Sequence, residues 1–181
     1  MKYRRLRIPG GTYFFTLVTF DRRPIFADGP TVHLFLSSIE HVRTKYPFEM
    51  PAWVILPEHV HAMWVLPEND TDFALRWGLI KSRFSRQFAQ LWETPAPSDS
   101  RLRNRERGVW QSRFWEHYIH SDDDYNRHLD YIHFNPVMHG HVRDTGAWPH
   151  SSFQEYVAQG VYAADWQIDA LLTAPPMAEM E

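Results

Sequence analysis

A Gly-Gly break followed by β-branched and aromatic residues marks residues 10–20, GGTYFFTLVTF, as a strand. Its apolar side chains fall on both faces, the pattern of a central strand in a covered sheet. The period then changes: Val32, Phe35, Leu36, Ile39 and Val42 recur at helical spacing within 31–46, and Pro47 stops the run. Two apolar runs, MPAWVIL and HVHAMWVL, flank Pro57-Glu58. A helix through Pro57 would cost about 3 kcal/mol, so the pattern predicts two strands and a tight turn. Residues 72–92 are amphipathic and basic, with Phe73, Trp77, Ile80, Phe84 and Phe88 as the apolar stripe. Residues 93–108 are rich in Pro, Ser and Arg, carry no hydrophobic period, and read as a loop or insertion. An aromatic stretch at 109–120 is predicted to contain a strand. For 121–136 a helix is predicted, with Ser121 as N-cap, acids in the first turn and Pro136 as its end. Residues 144–181 read as peripheral turns, short helices and a loose tail.

The order strand, helix, strand, strand, helix, strand, helix implies an α+β fold. The closest arrangement is ferredoxin-like (RRM-like), an antiparallel sheet with helices on one face and the histidine-bearing segment as a central strand. At 181 residues the chain suits one domain, read as 1–157, with 158–181 as a peripheral C-terminal tail. There are no cysteines, which excludes disulfides and thiolate metal sites. No apolar run reaches the ~20 residues of a membrane span, and the basic start lacks a cleavage site, so a cytoplasmic protein without membrane contact is expected. The net charge of −3 does not announce a nucleic-acid binder, but its distribution changes the picture. Residues 1–23 carry six Lys or Arg against one acid, residues 76–113 nine against three, and residues 144–181 none against six. Two basic patches on such a chain either contact phosphates locally or form an unevenly charged solvated surface.

The chemistry concentrates in EHVHAMWVL, residues 58–66. His59 and His61, two apart on a strand, share a face, while Val60, Ala62, Trp64 and Leu66 take the other. Two imidazoles so spaced can close on one cation; alternatively they are strand histidines bonded to neighbours. The 121–136 helix weighs on the choice. Beside its apolar stripe of Tyr125, Leu129 and Ile132 runs a second one of Asp124, His128, Tyr131 and Asn135. Tyr131 and Asn135 are i, i+4 neighbours, so a hydroxyl nucleophile stands beside a hard oxygen ligand. A cation on His59, His61 and Asn135 could then polarise a phosphate that Tyr131 attacks. Taken singly, Tyr131 is a half-buried helix tyrosine and Asn135 a helix cap; only the combination favours chemistry. Tyr125 falls on the core stripe, Tyr118 has no paired ligand, and His128 and Glu58 are candidates for contact behind the ligands.

The segments WVILPEHVHAMWVLPEND, WQSRFWEHYI and HLDYIHFNPVMHG, in this order and spacing, resemble the REP-associated tyrosine transposases, a branch of the single-tyrosine HUH nucleases. The resemblance extends over most of residues 3–157 and includes GGTYFFT and AWPHSSF. It implies a ferredoxin-like sheet, His59 and His61 as the metal-binding pair, Tyr131 as nucleophile, and Asn135 as the third ligand. It further implies Mg²⁺ or Mn²⁺ as cofactor and hairpin-forming single-stranded DNA as substrate. Cleavage would pass through a 5′-phosphotyrosine and leave a 3′-OH that can reverse the step. Lys2, Arg4, Arg5, Arg7, Lys81, Arg83 and Arg86 are the expected DNA contacts, and a monomer is expected. Two other classes compete: a non-catalytic single-strand binding module that stacks bases on the sheet, and a metal hydrolase that uses the two histidines on a small substrate.

Overall fold

The computed structural model describes residues 6–91 and 108–167. Strands β1 (Thr12–Val18), β2 (Glu49–Ile55), β3 (His59–Val65) and β4 (Trp115–Tyr118) form one antiparallel sheet in the order β2-β3-β1-β4. Helix α1 (Gly29–Arg43) joins β1 to β2, and α2 (Phe73–Leu91) joins β3 to β4. This is the ferredoxin-like order, with β3 and β1 in the interior, as the strand and helix pattern predicts. The β2–β3 turn closes through the Leu56 N–H to His59 carbonyl bond of 2.9 Å.

The expectation of helices on one face holds for α1 and α2 only. They pack side by side over Tyr13, Phe15, Leu17, Val60, Ala62 and Trp64. Trp64 stacks on Trp77 of α2 with ring centroids 3.9 Å apart. The opposite face is covered by α3 (Asp122–Met138) and the short α4 (Phe153–Ala158). The reason lies in β1, whose Phe14 is as fully buried as Tyr13 and Phe15. A strand apolar on both sides needs a layer on each. Leu129 and Ile132 of α3 supply that layer over β2 and β3.

Arg76, counted with the second basic patch, is a structural residue. It is 1% exposed, pairs with Asp70 at 2.8 Å, and donates to the carbonyl of Pro47 at 2.9 Å. It ties the start of α2 to the α1–β2 connection. Beyond α4 the chain still packs on the α3 layer. Tyr162 packs on Phe153, donates to Asp130 of α3 at 2.7 Å, and carries Trp166 against it, so the chain to 166 belongs to the α3 layer. Most of the 93–108 segment lies outside the described residues, as do Lys2, Arg4 and Arg5.

His133 of α3 sits fully buried among Phe153, Tyr156 and Tyr162, with Nε2 2.8 Å from Ser152 Oγ. Burial pushes its pKa down to about 3. The unfolded chain therefore binds one more proton than the folded one below the ordinary histidine value, and stability falls as the pH drops from about 6.5. Between pH 7 and pH 5 the loss from this residue should be roughly 2 kcal/mol. Urea unfolding at the two pH values checks it: His133→Gln should flatten the dependence by that amount.

Candidate active site

The β1–β3 register sets Thr16 opposite His61 and Val18 opposite His59, on the face away from α1 and α2. The two imidazole centroids are 4.8 Å apart, and both side chains are buried. Each is oriented from behind through Nδ1. Glu58, in the β2–β3 turn, accepts from His59 Nδ1 at 3.1 Å; Thr16 Oγ1 lies 3.0 Å from His61 Nδ1. The hydrogen bond from His59 holds the Glu58 carboxyl below its usual range, against the opposing effect of burial. In a neutral imidazole, a proton held on Nδ1 by a carboxylate leaves the Nε2 lone pair available to a metal.

Helix α3 brings the rest. Ser121 Oγ accepts the Asp124 N–H at 3.2 Å, three aspartates occupy the first turn, and the stripe of Asp124, His128, Tyr131 and Asn135 turns to the sheet. None of the four is more than 4% exposed. Asn135 Oδ1 lies 3.3 Å from His59 Nε2, and Asn135 Nδ2 is buried without a hydrogen-bond partner. With the His59 proton on Nδ1, two lone pairs face each other across that gap. The donor set of imidazole, imidazole and amide oxygen thus fits a divalent cation. One turn earlier the Tyr131 ring stands 5.2 Å from the His61 ring and 6.0 Å from Phe14.

Pro136 does not end the helix. The chain stays helical to Met138 and terminates in a Schellman motif: Gly140, at φ +70°, donates to Val137, and His141 donates to Pro136. A proline this near the C-terminus removes one helical hydrogen bond only, which tertiary packing offsets. Asn135 is therefore a helical residue and not a cap. His139, four residues on, sits with its ring 5.0 Å from that of His59. Sequence reading missed His139 because it ended the helix at Pro136; the i, i+4 step from Asn135 was the available signal.

At the other end of α3, His128 is buried against Phe14 and stacks on His117 of β4 at 4.7 Å. Burial lowers its pKa. Burial also tends to raise the Asp124 carboxyl, but hydrogen bonds from His117 and the His120 N–H outweigh it and hold Asp124 below its usual range. His128 thus lies at the head of the helix beside Asp124, while Glu58 alone of the two candidates touches one of the paired histidines. Tyr118 pairs with Tyr13 and faces the α1–α2 core, away from His61. Of the expected DNA contacts, Arg7 is exposed near the start of the described chain. Lys81, Arg83 and Arg86 lie on α2, in the layer opposite Tyr131, and Lys81 Nζ donates to the Gln111 carbonyl at 2.9 Å. The structure does not bring these α2 residues to the histidine face.

An interior His-x-His strand facing a helical tyrosine and amide is the layout of a single-tyrosine transposase. No family model matches the chain. Among curated proteins it is 42% identical over 168 residues to the REP-associated tyrosine transposase of Escherichia coli K12, covering 93% of this chain and 92% of that one. It is 43% identical over 164 residues to a relative of the same family name from Haemophilus influenzae, covering 91% and 92%. A solved structure of a REP-associated tyrosine transposase bound to a REP hairpin matches with a TM-score of 0.79 at 40% identity, over 93% and 92% of the chains. The chain belongs to the REP-associated tyrosine transposases.

Phe14 is the packing centre of this face: its ring lies within about 6 Å of His61, Trp115, His128 and Tyr131. Phe14→Ala should cost about 3–5 kcal/mol of stability, read from the midpoint of urea unfolding at constant slope.

Proposed function

We propose that the protein cleaves and rejoins single-stranded DNA next to hairpins, with Tyr131 as nucleophile and His59, His61 and Asn135 as the ligands of Mg²⁺ or Mn²⁺. The observation that carries this is the 3.3 Å approach of Asn135 Oδ1 to His59 Nε2, one helical turn from Tyr131. Support comes also from the relative of similar fold that was solved on a REP hairpin.

The chain's residues divide the work. Tyr131 Oη attacks a backbone phosphorus as the bond to the 3′ oxygen breaks. The products are a 5′-phosphotyrosine and a free 3′-OH, and attack by a 3′-OH on the adduct restores Tyr131 and joins the strands. The transfer of one phosphodiester bond for another needs no external energy source. Phe14 and His61 fix the plane of the tyrosine ring through edge contacts. Glu58 and Thr16 hold the two imidazoles with Nε2 forward. A bound divalent cation would polarise the scissile phosphate and offset the charge on the departing oxygen. A purely stacking module of the RRM kind is disfavoured, because Phe14 and Met63 on the histidine face are fully covered and offer no platform to bases.

Tyr131→Phe removes one oxygen and keeps the packing. It should abolish the covalent DNA adduct on a denaturing gel with a labelled hairpin and Mn²⁺, while Tm stays nearly unchanged. EDTA should abolish the adduct in the wild type too. An adduct mapped by mass spectrometry to Tyr118 or Tyr125 overturns the assignment.

The backbone contacts are proposed for the N-terminal arm, Lys2, Arg4, Arg5 and Arg7, and for Lys81, Arg83 and Arg86 on α2. Because α2 lies behind the sheet, a hairpin touching both α2 and the face of Tyr131 must wrap an edge. Arg83→Ala with Arg86→Ala should weaken hairpin binding and flatten its salt dependence by about 0.7–0.9 of a slope unit per lost contact. Affinity measured at several salt concentrations decides it, since parallel lines would exclude α2 from the interface.

A further inference from the structure

We infer that the head of α3 carries a second metal site, for a borderline-soft divalent ion such as Zn²⁺, built from His117, His120 and Asp124. His117 Nε2 and His120 Nδ1 stand 2.9 and 2.7 Å from the same oxygen, Asp124 Oδ2. The three ligand atoms all lie within 4.8 Å of one another. They come from β4, from the link behind it and from the first turn of α3, over only eight residues of chain.

The site is oriented in advance. His128 Nδ1 bonds the Asp124 backbone carbonyl at 2.8 Å and stands 3.1 Å from Oδ1, so the histidine lies on the Oδ1 side of the carboxylate and Oδ2 is left to the two imidazoles. The His117 ring is near parallel to Trp115 at 5.9 Å and to His128 at 4.7 Å, so its plane is fixed. A buried histidine behind a ligating carboxylate is the kind of support that metal ligands have. Ligand atoms around a tetrahedral zinc stand about 3.3 Å apart, given bonds near 2.0 Å. The two His–Asp separations need to open by about half an ångström, and the His120 side chain, 61% exposed, has room to move. Two imidazoles and one carboxylate favour zinc, cobalt or nickel over magnesium, and the exposed side of His120 leaves a fourth position for water.

This site is distinct from that of His59, His61 and Asn135. Asp124 and Asn135 are separated by about 16 Å along the helix at 1.5 Å per residue, with Tyr131 between them. Metal at the head would clamp the helix of Tyr131 to edge strand β4.

The test uses the full chain, stripped with a chelator, and Zn²⁺ alone. Wild type should take up zinc that raises Tm. His120→Ala, a change at an exposed position, should bind one zinc fewer by equilibrium dialysis and lose that part of the Tm rise, with affinity at this site down by more than about 100-fold. His120→Cys, which supplies a thiolate, should restore both. Asn135→Ala should leave the His120-dependent zinc in place. Equal stoichiometry and equal Tm shifts for wild type and His120→Ala overturn the proposal. So does a single bound zinc that disappears with Asn135→Ala. No DNA enters the measurement, so its failure leaves the reading of Tyr131 standing, and a missing adduct leaves this site standing.

Discussion

Thr16 faces His61 and Val18 faces His59 across the β1–β3 ladder, and that register decides which layer the two imidazoles meet. Strand alternation is strict, so a slip of one residue would turn both imidazoles into the α1–α2 core and bring Val60 and Ala62 to the other face. The register is held because the cost of that slip is large. Trp64 would lose its stack on Trp77 and leave the α1–α2 layer together with Val60 and Ala62. Core packing on one face thereby fixes the chemistry on the other. Nothing in the two histidines has to specify their own placement.

The second constraint is the layer that α3 forms. Leu129 and Ile132 bury themselves over β2 and β3, and the neighbouring stripe is then obliged to face His59 and His61. Each of the paired imidazoles has its Nδ1 engaged, by Glu58 or Thr16, and Nε2 of His59 meets Asn135 of the helix. The chain also places a second polar group, centred on Asp124, at the far end of the same helix. One helix thus reads as a beam with polar contacts at both ends and an aromatic packing centre, Phe14, under its middle.

Much of this was legible without coordinates. Ferredoxin-like order followed from the hydrophobic periods, and the shared face of His59 and His61 from a period of two. The α3 stripe followed from 100° per residue. What escaped depends on long-range packing. The two-sided cover of the sheet was hinted at by Phe14 beside Tyr13 and Phe15, yet strand patterning does not say which helix lies on which face. Pro136 looked like a stop because an interior proline usually is one; that the helix continues depends on how its last turn packs and on Gly140 closing it. His139 was lost with that turn. That Arg83 and Arg86 lie on the layer opposite Tyr131 was not legible, because charge along a sequence carries no information about layers.

The cover over Tyr131 has its own consequence. With 4% of its surface exposed, the tyrosine is screened from any strand that merely drifts past. If Tyr131 is the nucleophile, as proposed, any opening that a phosphate needs to reach it has to be drawn from contacts made elsewhere along the DNA. Each 1.4 kcal/mol of opening that a strand leaves unmatched slows its cleavage about tenfold. On the proposed reading, concealment of Tyr131 would act as a filter in time: strands that grip the protein broadly would stay long enough to be cut, and the rest would depart intact.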